Sequence, residues 1–359
     1  MNILITAPSL NPALNVSGIS TVVQTIIFHN NQHHYFHYQL GRPDRPIGKL
    51  IWLVQMIKQL ILFPFALKKN KIDLVHQNLP FDPKGVTREF IINFWCRLMR
   101  IPVVLHVHGG VFLMNGTNNG FFKRLSLSLF KHSNQVIVLS ELEKEAINEH
   151  YHFPSAKVLY NSINVESYII DEKQLTGNKP TLLFLGRIHE SKGVDDIIAA
   201  FHLLKSKADF RFVLCGIGPA KDRLVTSCEQ LLGSDFEYNG IVSGDSKINL
   251  IKHADFFLLP SRYGEGLPMA LLETMAAGVV PIVTDDASMK YVVQHEINGI
   301  RVNKKDPEDI SRKLISIISN PMMYGAMSKN ASQLIAEKFD IKEYVIQLNK
   351  IYNLALNKQ

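Results

Sequence analysis

The chain has 359 residues, is 46% hydrophobic and carries a net charge of +7, which suits two ordinary cores rather than one. No run of eighteen or more uncharged apolar residues occurs, and residues 1–8 read as a short strand rather than a leader, so a cytoplasmic protein is expected. Cys96, Cys215 and Cys228 are scattered with no metal-ligand spacing, which points to reduced structural thiols.

In chain order, residues 3–6 form the first apolar strand, and Ser17-Gly18 reads as a tight turn at a helix start. His29, His33, His34 and His37 follow, without a partner set that specifies a metal. Residues 50–67 are apolar around most of a helical circumference and precede Lys68, Lys69 and Lys71. They are read as a buried helix leading into a strand at 72–76, the other reading being a basic-flanked helix lying on a membrane. Pro64 argues against one straight helix. Strands at 103–107 and 136–139 complete the first series. His108, in His106-Val107-His108-Gly109-Gly110, stands beside glycines that permit close approach of a substrate, whereas His106 is expected inside the strand.

Residues 166–180 are polar, hold Gly177 and Pro180 and lack a period, so they read as a linker. A second series of strands follows at 181–185, 210–214, 256–259 and 280–283. Each run in both series is apolar enough to be covered on both faces, which implies parallel sheets. The expected fold class is therefore α/β, with two doubly wound domains whose ligand loops face across a cleft. Residues 1–131 hold fourteen Lys/Arg against four Asp/Glu, so the first part is the basic one. That charge suits an acidic substrate, an anionic membrane or nucleic acid, but no signature of a common nucleic-acid module is present.

Arg187 and Lys192 follow the 181–185 strand, where cations can neutralise a departing diphosphate. Gly216-Ile217-Gly218-Pro219 follows the next strand and lets backbone approach phosphate. Lys221 occupies the position where the dinucleotide fingerprint needs a small residue, which disfavours a nicotinamide or flavin enzyme. Glu265 and Glu273 bracket the start of a helix expected to begin beside Gly266, with Pro268 in its first turn and a stop at Ala276-Ala277-Gly278. Helical spacing throughout would separate the two carboxylates by roughly 12 Å, the reach of a hexose-diphosphate-ribose, with the diphosphate at the helix start between them. Solvated glutamates flanking a helix would give the same pattern.

Taken together, these residues resemble the retaining glycosyltransferases of family 4, with the two-domain GT-B architecture. The carrying blocks are Pro260 to Asp285 with its Glu-x7-Glu signature at Glu265 and Glu273, Phe184-Leu185-Gly186-Arg187-Ile188 through Lys192-Gly193, Val104 to Gly110, and Val138-Leu139-Ser140-Glu141. The resemblance implies two Rossmann-like domains. Residues 1–168 would bind the acceptor, 169–341 would bind the donor, and the 342–359 helix would pack back on the first domain. It also implies hexosyl transfer from a nucleoside diphosphate sugar with retained configuration and no cofactor or required metal, so Asp285-Asp286 is not read as a metal site. Arg187 and Lys192 would bind the diphosphate, Glu265 with Gly266, Leu267 and Pro268 the sugar and phosphates, and Glu273 the ribose. His108 would contact the transferred sugar, Gly18, Gly216 and Gly218 would lie near the phosphates, and Ile241 would border the base. Asn161-Ser162-Ile163-Asn164 departs from the family's Asn-Gly-apolar-Asp, and no role is carried over there.

The basic first domain fits a glycan or lipid-linked saccharide acceptor in bacterial surface polysaccharide synthesis, such as capsule or lipopolysaccharide. The enzyme would then be cytoplasmic, with peripheral contact on the inner, anionic membrane face. Residues 115–120 and 28–37 are the candidate acceptor contacts. Two other readings share the fold: a nucleotide-sugar epimerase or phosphorylase, and a non-catalytic partner subunit of a transferase.

Overall fold

In the computed structural model, residues 1–12, 14–15, 17–41, 48–170, 175, 179–263, 265–285 and 289–357 are described. The chain divides into two compact units, Met1–Asn161 with Ile341–Gln359, and Ser162–Asp340. The division thus falls before the expected residue 168. Of the expected linker, residues 171–174 and 176–178 lie outside the described residues, while Val165–Ser167 is a short 3-10 turn and Tyr168 is buried in the second unit.

The first unit is built on β1 (Asn2–Ala7), β2 (His34–Gln39), β3 (Leu74–Leu79), β4 (Val103–Val107), β5 (Gln135–Val138) and β6 (Lys157–Val158). They pair in the order β2-β1-β3-β4-β5-β6, every neighbour parallel. The second unit repeats the plan with β7 (Thr181–Leu185), β8 (Arg211–Cys215), β9 (Phe236–Gly240), β10 (Phe256–Leu259), β11 (Val280–Thr284) and β12 (Ile300–Val302). Its order is β12-β11-β10-β7-β8-β9, again parallel throughout. This is the doubly wound α/β fold twice over. In each unit the first strand in sequence has its successors on both sides, so the switch points lie at β1/β3 and β7/β10, where such sheets leave room for ligands.

The eight runs read as strands are the eight interior strands. The four not anticipated, β2, β6, β9 and β12, are the four sheet edges. An interior strand such as β4 is buried at all five positions, whereas β2 has no buried residue and β9 is half-buried along its length. An edge strand pairs on one side only and does not need a doubly covered apolar run.

Helices α1 (Gly18–His29), α2 (Lys49–Lys69) and α3 (Pro83–Leu98) connect the first strands. Ser17 caps α1 by accepting from the Ser20 amide, and Asp82 caps α3 by accepting from Lys84 and Gly85 with Pro83 in the first turn. Two expectations for α2 are corrected. It continues through Pro64, because Phe63 and Leu67 on either side are seated in the core with Leu4, Val75 and Ile92 and hold that turn together. It is also not a buried helix, since Phe63 and Leu67 are its only fully buried side chains among those described. The Ile341–Leu356 helix belongs to the first unit, where Tyr352 reaches His76 and the Ala355 carbonyl accepts from Asn134.

Candidate functional site

In the second unit, the loops leaving β7 and β10 flank the switch point and are fastened to each other. After β7 the chain passes Gly186 and Arg187 into a 3-10 turn, Glu190–Lys192, whose cap is the His189 ring accepting from the Ser191 amide at 3.1 Å. Gly193 then takes a left-handed φ of 75°, and a Cβ there would lie 2.2 Å from the Pro260 carbonyl oxygen. Only glycine lets the two loops approach so closely. From the other loop, the Arg262 amide donates to the Ser191 carbonyl at 2.7 Å and its guanidinium forks onto Asp196 with two bonds of 2.8 Å.

Lys192 is consequently brought onto Glu265, its Nζ paired with Oε1, and the Ser261 hydroxyl donates to the same oxygen. Glu265 is only 6% exposed, so its charge is held by these two donors. The following helix begins at Met269, with Pro268 as its cap at φ −65° and ψ 127°, which corrects the expected start at Gly266. Gly266, Leu267 and Pro268 precede the helix in non-helical backbone, so the 12 Å separation argued from helical spacing does not apply. Pro268 cannot donate, and among the described residues no side chain caps the first turn, which leaves backbone N–H groups there available to an anion. The helix ends at Ala276, with Ala277 as its cap and Gly278 at φ 66°, where the sequence placed its stop.

One turn on, Glu273 is 4% exposed and its Oε1 accepts from Lys247 Nζ at 2.7 Å. The Tyr168 phenol also bonds this carboxylate, and burial, with the Glu273 charge adding to it, pushes the phenol pKa up. Both carboxylates of the Glu-x7-Glu pair therefore sit buried, each beside one lysine. Sequence reading missed Lys247, Ser261 and Tyr168, which carry no local signature and meet the glutamates only through the fold.

Gly216 and Gly218 also meet a packing requirement within this unit. A Cβ at Gly216 would lie 1.8 Å from the Gly186 carbonyl oxygen, and one at Gly218 would lie 2.1 Å from that of Ile188. These glycines pack the β8 loop against the β7 loop. Arg187 is exposed, with no bond or ion pair among the described residues, and Ile241 stands partly exposed just past β9. Asp285 is exposed and pairs with Arg301, Asp286 lies outside the described residues, and no cluster of three His, Cys, Asp or Glu groups suited to a metal occurs among the described residues.

In the first unit, Gly18 opens α1 and is exposed, with open space where a Cβ would stand. His108 follows β4 and His106 lies within it. His108 Nε2 is 2.6 Å from Asn78 Oδ1, while Asn78 Nδ2 donates to the Thr6 carbonyl at 2.9 Å. That second bond fixes the amide's orientation, so Oδ1 is an acceptor and His108 must donate from Nε2. Nδ1 is left as the unprotonated nitrogen. Behind it, the His106 ring packs against His108 tilted by 35° with centroids 4.2 Å apart, His76 Nε2 lies 3.3 Å from His106 Nδ1, and Tyr352 bonds His76 at 2.7 Å. Burial pushes the His76 pKa down to about 3, and burial, with the neighbouring imidazoles adding to it, holds His106 well below its ordinary value. His108 keeps some solvent-accessible surface, yet its packed surroundings also push it down to about 3, so all three rings are neutral.

Two parallel, doubly wound units in one chain define a two-domain, Rossmann-like α/β class of fold. Comparison with known proteins makes this specific. Residues 22–167 match the Glycosyltransferase Family 4 profile and residues 165–334 match Glycosyl transferases group 1. The chain belongs to the group 1, family 4 glycosyltransferases, with the GT-B fold. It is 27% identical to an uncharacterised glycosyltransferase of Methanocaldococcus jannaschii over 87% of this chain and 84% of that one. It is 26% identical to the Escherichia coli UDP-Gal:alpha-D-GlcNAc-diphosphoundecaprenol alpha-1,3-galactosyltransferase over 86% and 82% of the two chains. Among solved structures, Anabaena HepE in complex with UDP and glucose superposes with a TM-score of 0.75 at 16% identity, over 98% of this chain and 99% of that one.

Proposed function

We propose that this enzyme is a retaining hexosyltransferase that moves a sugar from a nucleoside diphosphate sugar to a glycan or lipid-linked saccharide, without a required metal, in the cytoplasm of a bacterium building surface polysaccharide. The observation that carries the reading is the second-unit cluster. Lys192 and Ser261 hold Glu265, a helix start with no side-chain cap among the described residues follows, and Glu273 on that helix is held by Lys247 from the Gly244–His253 helix. The acceptor class is supported by the likeness to the galactosyltransferase named above, whose acceptor is a diphosphoundecaprenol-linked sugar.

The donor's diphosphate takes the free amides at Met269 with Arg187 and Lys192, and Glu273 takes the ribose hydroxyls. Glu265 grips hydroxyls of the transferred sugar, and Ile241 borders the base. We assign His108 to the same sugar as a neutral hydrogen-bonding group, with Gly18 giving room to phosphate. The bond from the anomeric carbon to the phosphate oxygen breaks first, and its electron pair passes to the nucleoside diphosphate, whose growing charge Arg187 and Lys192 offset. The acceptor oxygen adds to the same face, and its proton goes to the departing phosphate oxygen. Configuration is kept without an enzyme nucleophile.

The test is proton NMR of reactions containing UDP-, GDP- and ADP-hexoses with a short polyprenyl-diphosphate monosaccharide. An α-linked product from an α-donor supports the proposal. A β-linked product sinks the retaining mechanism, and a covalent sugar on Glu265 sinks the front-face route. Nucleotide binding with neither transfer nor donor hydrolysis would turn the reading towards a partner subunit.

A further inference from the structure

Helix α2 is apolar on two opposite faces. Phe63 and Leu67 point into the first unit's core, and Trp52, Met56 and Leu60 lie half-buried on the same side. On the other side Leu50, Val54, Ile57, Ile61 and Phe65 recur every three or four residues and fall within roughly 80° of the helix circumference at 100° per residue. They are bare: Leu50 is 72% exposed, Ile61 57% and Phe65 65%. A soluble surface helix ordinarily presents charge there.

Cations accompany this stripe and acids do not. Lys58, Lys68 and Lys69 are exposed on α2, which has no acidic residue. Helix α3, packed beside α2, adds exposed Phe94 and Leu98 with Arg97, and its one acid, Glu89, is buried and paired with Arg88. Length and composition alone would let α2 cross a bilayer. The topology forbids it. The strands before and after it, β2 and β3, both pair with β1 in one sheet, so the chain cannot leave one side of a roughly 30 Å hydrocarbon layer and finish on the other.

We propose that the α2 stripe with its lysines is a docking surface for an anionic lipid bilayer, on which α2 lies flat with Leu50, Val54, Ile57, Ile61 and Phe65 entering the headgroup region and the lysines meeting lipid phosphates. Positive charge beside an exposed apolar stripe is complementary to such a surface and to little else of comparable extent. The placement would hold the first unit where a lipid-linked acceptor resides. That consequence rests on the proposed function, whereas the surface does not.

Both tryptophans of the chain, Trp52 and Trp95, sit on α2 and α3, so the intact protein carries its own reporter. Purified protein is titrated with phosphatidylcholine vesicles, with and without 30% phosphatidylglycerol, and followed by tryptophan emission and sedimentation. Binding to the anionic vesicles with a blue shift is expected, weakening with salt and at least tenfold weaker in Val54→Ser/Ile57→Ser/Ile61→Ser. Lys58→Gln/Lys68→Gln/Lys69→Gln should lose the preference for phosphatidylglycerol. Nucleotide binding and circular dichroism, unchanged in both variants, separate this from unfolding and from failure of the donor site. Absence of vesicle binding by the wild type, or equal binding by the serine variant, overturns the proposal. So does a dimer in sizing columns that the serine variant dissolves while vesicles are ignored.

Discussion

Replacing Asn78 tests how His108 is prepared. The Asn78 side-chain amide is oriented by its bond to the Thr6 carbonyl, while the Asn78 backbone N–H donates to Thr6 Oγ1 at 3.0 Å, so the His108 proton is held on Nε2. Burial takes the ring's pKa from the usual 6.5 down to about 3. At pH 6 an ordinary imidazole is roughly three-quarters protonated, while His108 should be charged in roughly one molecule in a thousand. Asn78→Leu keeps the volume but orphans the Nε2–H, at a cost of about 1–3 kcal/mol, enough to release the tautomer and lower turnover about tenfold or more. The assay is nitrogen-15 NMR of histidine-labelled protein, with His108 assigned through His108→Gln. The wild type should show an Nε2–H tautomer unchanged from pH 5 to 8. An Nδ1–H tautomer, or titration near pH 6.5, would refute the reasoning.

Buried neutral His76 makes stability depend on pH. Its pKa is lowered to about 3 in the folded chain, so the unfolded chain takes up the proton first, and stability is lost as pH falls from about 6.5 towards 3. For His76 alone the loss between pH 7 and pH 5 is about 2 kcal/mol. Hydrogen exchange of β3 and β4 amides should show it, and flat protection over that range would count against it. Gly193→Ala puts a Cβ into the Pro260 carbonyl at a left-handed φ and should cost about 1–3 kcal/mol together with donor affinity, read by thermal melting and nucleotide titration. Lys247→Met leaves the Glu273 carboxylate buried with one partner fewer and should destabilise the second unit by about 3 kcal/mol, whereas Lys247→Arg should restore most of it.

What the sequence carried and what it withheld divide along physical lines. Interior strands are visible because burial on both faces demands a continuous apolar run, and the loop glycines and charges that follow them are local too. Edge strands such as β2, with its His34, Tyr35 and His37, need no such run and read as loop. Partners contributed by distant elements are invisible for another reason. Lys247 meets Glu273 across 26 residues, and Asn78 meets His108 across 30, only because parallel strands bring the elements together. The glycines at 216 and 218 were legible as special, but their packing requirement was not, since the backbone that crowds them belongs to the preceding loop. For α2, composition could not say which apolar face the core would take, and only the placement of Phe63 and Leu67 shows that a second face is left bare.

The most direct test of the central claim is calorimetric titration of UDP, GDP and ADP into the wild type, Glu273→Gln and Lys192→Met. One nucleotide should bind the wild type, at least tenfold more weakly in each variant, with Glu273→Gln discriminating less between the ribo- and deoxyribonucleotide because the carboxylate grips the ribose. Equal affinity across all three proteins, or no binding of any nucleotide at millimolar concentration, would contradict the assignment of this cluster as the donor site.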